Sequence, residues 1–368
     1  MKLEPQLIGL IGIALIAGIA IGFVGAIVIN PLGTPTVDIR YGGQYYPGEF
    51  FLKGYPEIWT KYDLAIDHRL FSSGGEGNEA LVAGNVDINV GADSKTIALF
   101  NAIPEEALII GTVQRGNRYS TVVKTDSSYN SWDDLVGKTV GTRYGTGAEA
   151  TLRKFFASNK TTLTWDDFNW QDVKVEDMSS ALNAGQIEAF TAWEPTPAIA
   201  EAQGVGRVIR SYGDIALVPV SIHTTKSFAY SHPAKVVAFL AAQLEKMETI
   251  NDDPTTAADY AAQAASQFGI EVSADAFLNV YNRIDFSIDF NQSIIDDINN
   301  TAYFLYDEGS IDKIPTLRWD RSFIESAIKL REAMSSGSSL NLLLSWQKSM
   351  LDISLIPIIF SKIVKIST

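Results

Sequence analysis

Two stretches of the chain repeat each other about a hundred residues apart. Ala80-Leu81-Val82-Ala83-Gly84-Asn85-Val86-Asp87 opens with helix formers, stops at a glycine and passes into a strand in which Val86, Ile88 and Val90 alternate with Asp87 and Asn89. Ala181-Leu182-Asn183-Ala184-Gly185-Gln186-Ile187-Glu188 has the same form 101 residues later and leads into Trp193-Glu194-Pro195-Thr196. Gly84 and Gly185 stand where a helix ends on a left-handed residue. Upstream, Val37-Asp38-Ile39-Arg40-Tyr41-Gly42-Gly43 echoes Thr139-Val140-Gly141-Thr142-Arg143-Tyr144-Gly145, with Arg40 and Arg143 103 positions apart. Two echoes in the same order, at nearly equal spacing, predict two lobes of like topology. Strand and helix signals alternate throughout the body, so the expected class is α/β. A period this long excludes a short-repeat solenoid.

In open α/β sheets a ligand sits outside the carboxyl ends of the strands, beside helix N-termini. Each echo ends in such a loop, and two lobes with these loops face to face would form a cleft able to close on a small molecule. In the first lobe this nominates Tyr41 and Gln44 at the first strand, with Tyr45 and Tyr46 as aromatic walls. It also nominates Ser72 and Ser73 before the helix carrying Glu79, and Asp93 and Ser94 in a loop read as Gly91–Ser94. Gln114 and Arg115 are expected just after a strand Leu108–Val113. In the second lobe Thr142, Tyr144, Gly145, Thr146 and Gly147 precede a helix whose apolar face is Ala148, Leu152, Phe155 and Phe156. A helix N-terminus with free amide N–H groups, approached through glycines, is an anion seat or else a plain strand–helix turn. Trp193 and Glu194 end another strand: the carboxylate suits a ligand amine or braces the lobes, and the indole stacks on a ring or fills the core.

Composition narrows the chemistry. Asp and Glu number 43 against 29 Lys and Arg, a net charge of −14, which argues against a nucleic-acid binder and says little about the sign of a small ligand. There are no cysteines, which removes disulfides, thiolate metal sites, cysteine nucleophiles and a lipid-modified N-terminal cysteine. His68, His223 and His232 have no metal-ligand spacing and read as structural, so neither a metal nor a cofactor is expected.

Leu7–Ile29 is 23 residues without a charge, about 35 Å as a helix and enough to cross a bilayer. It reads as an uncleaved transmembrane anchor within 1–30, with a cleaved signal segment as the alternative. The bulk would then stand at the cell surface or in the periplasm, anchored to the cytoplasmic membrane. Residues 31–36 read as a linker. Residues 335–368 read as an apolar tail that lies on a membrane surface or packs loosely, with Pro357 interrupting any long helix.

These residues resemble the type II periplasmic-binding-protein superfamily, in the branch of solute-binding subunits of nitrate, sulfonate, taurine and thiamine-pyrimidine-precursor ABC importers. The resemblance covers about Val37–Leu330. It rests on Phe71-Ser72-Ser73-Gly74, on Glu79-Ala80-Leu81 with Gly84, Asp87 and Gly91, and on Asp134-Leu135-Val136-Gly137-Lys138-Thr139-Val140. It continues through Tyr144-Gly145-Thr146-Gly147-Ala148 and the second echo to Arg283-Ile284-Asp285-Phe286-Ser287 and Phe304-Leu305-Tyr306-Asp307-Glu308-Gly309. It implies a two-lobed fold with a discontinuous lobe one (37–121 and 222–334) around lobe two (122–221). Relatives often carry two hydroxyl residues where this chain has Thr146 and Gly147.

The implied function is capture of a small anionic or zwitterionic solute by a monomeric, non-catalytic ectodomain that hands it to an ABC permease and its ATPase. A ligand-sensing ectodomain coupled to a membrane partner is an alternative. An enzyme of thiamine-pyrimidine synthesis is another, but in relatives that activity depends on a cysteine-rich site.

Overall fold

The computed structural model describes residues 37–287 and 290–335. The apolar segment 7–29 and the tail 336–368 lie outside the described residues. Among the described residues no helix is long and apolar enough to cross a membrane.

In chain order the strands are β1 (Ile39–Gln44), β2 (Ile66–Phe71), β3 (Ile88–Ala92), β4 (Ala107–Gly116), β5 (Tyr119–Lys124), β6 (Thr139–Thr142), β7 (Asn169–Asp172), β8 (Ala189–Trp193), β9 (Gly206–Ser211), β10 (Val220–Thr225) and β11 (Ile284–Asp285). The helices are α1 (Pro47–Gly54), α2 (Glu57–Lys61), α3 (Gly74–Val82), α4 (Asp93–Ala102), α5 (Gly147–Ala157), α6 (Val175–Asn183), α7 (Thr196–Ala202), α8 (Lys226–Ser231), α9 (Pro233–Asp252), α10 (Pro254–Gln267), α11 (Ala274–Tyr281), α12 (Gln292–Asp307) and α13 (Ser322–Ser335).

Two sheets form, with strand orders β11-β4-β10-β3-β1-β2 and β7-β6-β8-β5-β9. The halves match. In the first sheet β1 is parallel to β2 and β3; in the second β6 is parallel to β7 and β8. The sequence echoes are therefore structural equivalents, down to single side chains. The Asp87 carboxylate accepts from the Arg40 amide at 2.8 Å, and the Glu188 carboxylate accepts from the Thr139 amide at 2.9 Å. Each acid satisfies the amide at or next to the start of β1 or β6, a donor the ladder leaves open there. Gly84 and Gly185 have φ of 71° and 68°, the left-handed residues that end α3 and α6.

Each sheet is completed by a strand from the passage between lobes. β5 lies antiparallel between β8 and β9, and β10 antiparallel between β3 and β4. The chain thus leaves the first sheet at 117–118 and returns within 212–219, a few residues before the boundaries expected at 122 and 221. The two crossings are tied together: the Gly213 amide donates to Asn117 Oδ1 at 3.0 Å and the Gly116 amide to the Leu217 carbonyl at 2.7 Å.

Helix α9 supplies much of the first lobe's core, with Val236, Val237, Leu240, Leu244 and Met247 buried along one face as the spacing predicts. Asp253 caps α10 by accepting from the Thr256 amide at 3.1 Å.

His223 on β10 is fully buried and shares a hydrogen bond with the Thr96 hydroxyl at 2.8 Å. Burial pushes its pKa down to about 3. An unfolded chain would take up a proton below about pH 6.5 that the folded one refuses. The stability this gives is fully present above pH 6.5 and is lost as pH falls toward 3, by up to about 1.4 kcal/mol per pH unit. His223→Gln should flatten that slope in urea unfolding curves between pH 7 and pH 4; an unchanged slope would remove His223 as its source.

Candidate functional site

The carboxyl ends of β1, β3, β6 and β8 converge between the lobes, where the duplication requires a cleft. They enclose a cavity lined by Gln44, Tyr46, Gly74, Ala92, Lys95, Tyr119, Thr146, Gly147 and Trp193. The lobes are closed on it, and its volume of ≈ 10 Å³ is room for about one water. Gln44 is held by a bond from its amide to the Val90 carbonyl at 2.6 Å, which joins the ends of β1 and β3. Tyr46 meets Trp193 of the other lobe edge to face, with ring centroids 6.3 Å apart.

Arg118, on the outgoing crossing, is 1% exposed. Its guanidinium lies 5.3 Å from the Tyr46 ring centroid and 5.0 Å from that of Tyr119. Nη2 donates to the Tyr119 hydroxyl at 2.7 Å, while Nε and Nη1 have no hydrogen-bond partner among the described residues. No carboxylate pairs with it there. Cation–π contacts offset only part of the cost of taking a guanidinium out of water. Backbone bonds fix its place, from the Arg118 amide to the Gly116 carbonyl and from the Glu194 amide to the Arg118 carbonyl, each 2.8 Å.

Gly147 opens α5, and a β-carbon there would stand 2.2 Å from the Tyr119 hydroxyl. Glycine is therefore dictated by close approach of the tyrosine oxygen. Thr146 turns its hydroxyl back to the Arg143 carbonyl at 2.6 Å. The seat thus combines the start of α5, the Tyr119 hydroxyl and the Arg118 guanidinium. Lys95, in the first turn of α4, lies across from it, and burial draws its pKa below the usual amine range.

Of the residues nominated from sequence, Gln44, Tyr46, Thr146, Gly147 and Trp193 line this cavity. Tyr41 is instead in the first lobe's core, donating to Glu49 at 2.7 Å and stacked on His68. Ser72 and Ser73 serve the start of α3: the Ser72 hydroxyl donates to Glu76 at 2.6 Å, and Ser73 is the N-cap. Asp93 is buried and tied to the Ser94 amide at 2.7 Å and to the Thr301 hydroxyl. The Ser94 hydroxyl is buried without a partner among the described residues. Gln114 is buried within β4, and Arg115 pairs with Asp285 at 2.7 Å. Thr142 is in the second lobe's core, its hydroxyl on the Thr191 carbonyl at 3.2 Å. Tyr144 is exposed, and the Gly145 amide is bonded to Glu149 at 2.6 Å.

Glu194 is 1% exposed and accepts from the Ala198 amide at 3.1 Å and from Arg283 Nη1 at 3.1 Å. Since Arg283 adjoins β11, this pair braces one lobe against the other. A second brace joins Lys154 of α5 to the Thr301 hydroxyl at 2.7 Å, with Asp93 behind it. Elsewhere between the lobes lies a cavity of ≈ 440 Å³ walled mainly by apolar side chains, including Tyr45, Phe50, Ile199, Phe268 and Ile270. It holds none of the cations just described, so size alone does not mark the site.

Sequence reasoning missed Arg118, Lys95 and Tyr119. It ended the fourth strand at Val113, but β4 runs on to Gly116, so the turn arrives at Asn117-Arg118 and not at Gln114-Arg115. It read Gly91–Ser94 as a loop, but β3 runs to Ala92 and α4 begins at Asp93, which carries Lys95 into the cleft. The Gly116-Asn117 pair after an apolar run was the available signal for the first correction.

Burial raises the pKa of Glu194 to about 7, outweighing Arg283, which is partly exposed and shares its charge with Glu201 at 3.4 Å. The folded state thus holds a proton that the unfolded chain releases near the usual carboxylate pKa. The associated stability is fully present below about pH 4.5 and is lost as pH rises through 7, about 3 kcal/mol in all. Between pH 4.5 and pH 8, Glu194→Gln should gain on the wild type by that amount in denaturant unfolding; a constant difference would contradict the assignment.

The overall arrangement matches solved structures. The alkanesulfonate-binding protein of Xanthomonas axonopodis pv. citri, bound to MOPS, superposes with a TM-score of 0.69 at 17% identity, over 78% of this chain and 100% of that one. The periplasmic aliphatic sulphonate binding protein of Escherichia coli gives 0.62 at 18%, over 77% and 94%. The periplasmic nitrate-binding protein of Synechocystis PCC 6803 gives 0.62 at 15%, over 82% and 91%. At these identities the likeness establishes the two-lobed periplasmic-binding-protein fold. Curated sequences from Brucella abortus and Brucella suis, whose names give a provisional binding role and no ligand, are 29% identical over 138 residues; the match spans 38% of this chain and 41% of theirs. A family model described as NMT1/THI5 like matches residues 64–257, more than half of the 368 residues, and the chain belongs to that family.

Proposed function

We propose that the protein is the solute-binding component of an ABC-type importer and that its solute is an anion held between the lobes. The observation that carries this reading is Arg118, a buried guanidinium with two nitrogens free of partners among the described residues, whose third nitrogen donates to the Tyr119 hydroxyl that stands against the start of α5. A group of that kind is stable only if something supplies negative charge at the same place. The amide groups that open α5 and the Tyr119 hydroxyl add neutral donors. The solved relatives' names, alkanesulfonate-binding and nitrate-binding, support an anion as well.

A zwitterion with its amine on Glu194 fits less well, because that carboxylate already accepts from Ala198 and Arg283. The two crossings form the hinge, and a solute gains access when the lobes part. Delivery to a permease and its ATPase follows from the importer reading, and the charge-free run Leu7–Ile29 would tether the protein beside them.

The test is ligand-induced thermal stabilisation of the detergent-solubilised full chain by ethanesulfonate, taurine and nitrate. At least one of them should raise the melting temperature of the wild type. Arg118→Met should abolish that rise, a loss of about 2 kcal/mol or more in binding. The same substitution removes an unpaired buried charge, so the ligand-free melting temperature should hold or increase. A variant that still binds as well as the wild type would sink the proposal.

A further inference from the structure

We infer that the cleft selects a doubly charged oxoanion headgroup, a phosphate monoester or phosphonate, over the singly charged sulfonates and sulfates of the same shape, with Lys95 as the second cation. The inference rests on the reading above that the cleft holds an anion, and it names the class.

The position of Lys95 carries the argument. Its ammonium spans the closed cleft, 3.6 Å from where a β-carbon on Gly75 of the first lobe would stand and 3.5 Å from the same point on Gly145 of the second. Among the described residues Lys95 Nζ has no ion pair, and the side chain lines the same cavity as Tyr119, Thr146 and Gly147. Arg118 contacts that tyrosine from the crossing side. Lys95 therefore lines the cavity directly and Arg118 backs it through Tyr119, and no carboxylate is among the described residues that line it.

Of the acids nearby, Glu79 also acts on Lys95 but is exposed to solvent, and the others are committed elsewhere. Glu149 accepts from the Gly145 amide at 2.6 Å and pairs with Arg153 at 2.8 Å. Asp93 is held by Ser94 and Thr301 and faces Lys154 at 4.0 Å. Glu76 is taken up by the Ser72 hydroxyl and amide.

A monoanion would neutralise one of the two cations and leave the other desolvated in the closed cleft. A dianion neutralises both. Phosphate and sulfate esters have the same tetrahedral outline, so charge is the property on which this site can tell them apart. A phosphate ester carries its second charge above a pKa of about 6 and is doubly ionised at pH 7.5.

The experiment is calorimetric titration of the full chain in detergent with ethyl phosphate and ethyl sulfate at pH 7.5, and with succinate as a dianion whose charges are spread apart. Ethyl phosphate should bind at least ~10-fold more tightly than ethyl sulfate. Lys95→Gln should bring the two dissociation constants to within ~3-fold of each other, and Lys95→Arg should keep the preference. Equal or tighter binding of ethyl sulfate by the wild type overturns the inference while leaving the anion reading intact. So does a preference that survives Lys95→Gln. Succinate binding more tightly than ethyl phosphate overturns the headgroup assignment. If none of the three binds while ethanesulfonate, taurine or nitrate still stabilises the protein, this inference fails and the anion reading stands; if no anion of either panel binds, both fail.

Discussion

Neither sheet is complete without a strand that the chain lays down as it passes between lobes. β10 fills the gap between β3 and β4 only after the chain has returned, and β5 fills the gap between β8 and β9 as soon as it has left. That exchange forces two crossings, side by side, tied by the Gly213 amide donating to the Asn117 side-chain oxygen and the Gly116 amide donating to the Leu217 carbonyl. Such a pair is an ordered hinge and not a loose linker, because its polar backbone has no need of water. Arg118 is part of the hinge itself. It lies between the end of β4 and the start of β5, while Lys95 belongs to the first lobe and the start of α5 to the second.

The charges around that hinge are sorted. Carboxylates within reach are consumed by lobe-bracing or helix-capping work: Glu194 by Arg283, Asp93 by Thr301 and Lys154, Glu76 by Ser72. The cations at the cavity are left over. In a folded protein a buried ionic group without a partner is usually neutralised or paired, since the cost of dehydrating it exceeds what dipoles alone return. Net charge gives no hint of this. The chain as a whole is acidic at −14, yet among the described residues the one charged side chain lining this cavity is a lysine, because local groups and not the total set the potential there.

The architecture was legible in the sequence because it is written twice. A helix that stops on a left-handed glycine before an alternating strand is a strong local signal, and finding it at Gly84 and again at Gly185 fixed the equivalence of β3 and β8. The acids that follow, Asp87 and Glu188, were part of the same echo and turn out to satisfy amides at or next to the starts of β1 and β6. The site was legible only in part, and the reason is strand length. A strand alternates direction at every residue, so an end misplaced by two or three positions moves the loop and swaps which side chain faces the cleft. Three residues too few in β4 nominated Arg115, which pairs with Asp285, and passed over Arg118. Tyr41 was misjudged for another reason: aromatic residues near a strand end serve cores and clefts alike, and only the Glu49 and His68 contacts settle which.

Closure of the lobes is a balance between terms that sit in different places. Contacts away from the cavity favour it: the Glu194–Arg283 pair, the Lys154–Thr301–Asp93 chain, and the edge contact of Tyr46 with Trp193. Against it stands the dehydration of Arg118 and Lys95, which falls due only when the cleft shuts. An opened cleft returns water to both cations, so the open state gains what the braces lose. On the proposed function, a solute that brings negative charge removes the opposing term without touching the braces, and the form it favours is a cleft shut around it, wider than the ≈ 10 Å³ left here. The braces alone would make a protein that stays shut, and the cations alone one that stays open. Together they leave the decision to the charge of whatever occupies the cleft.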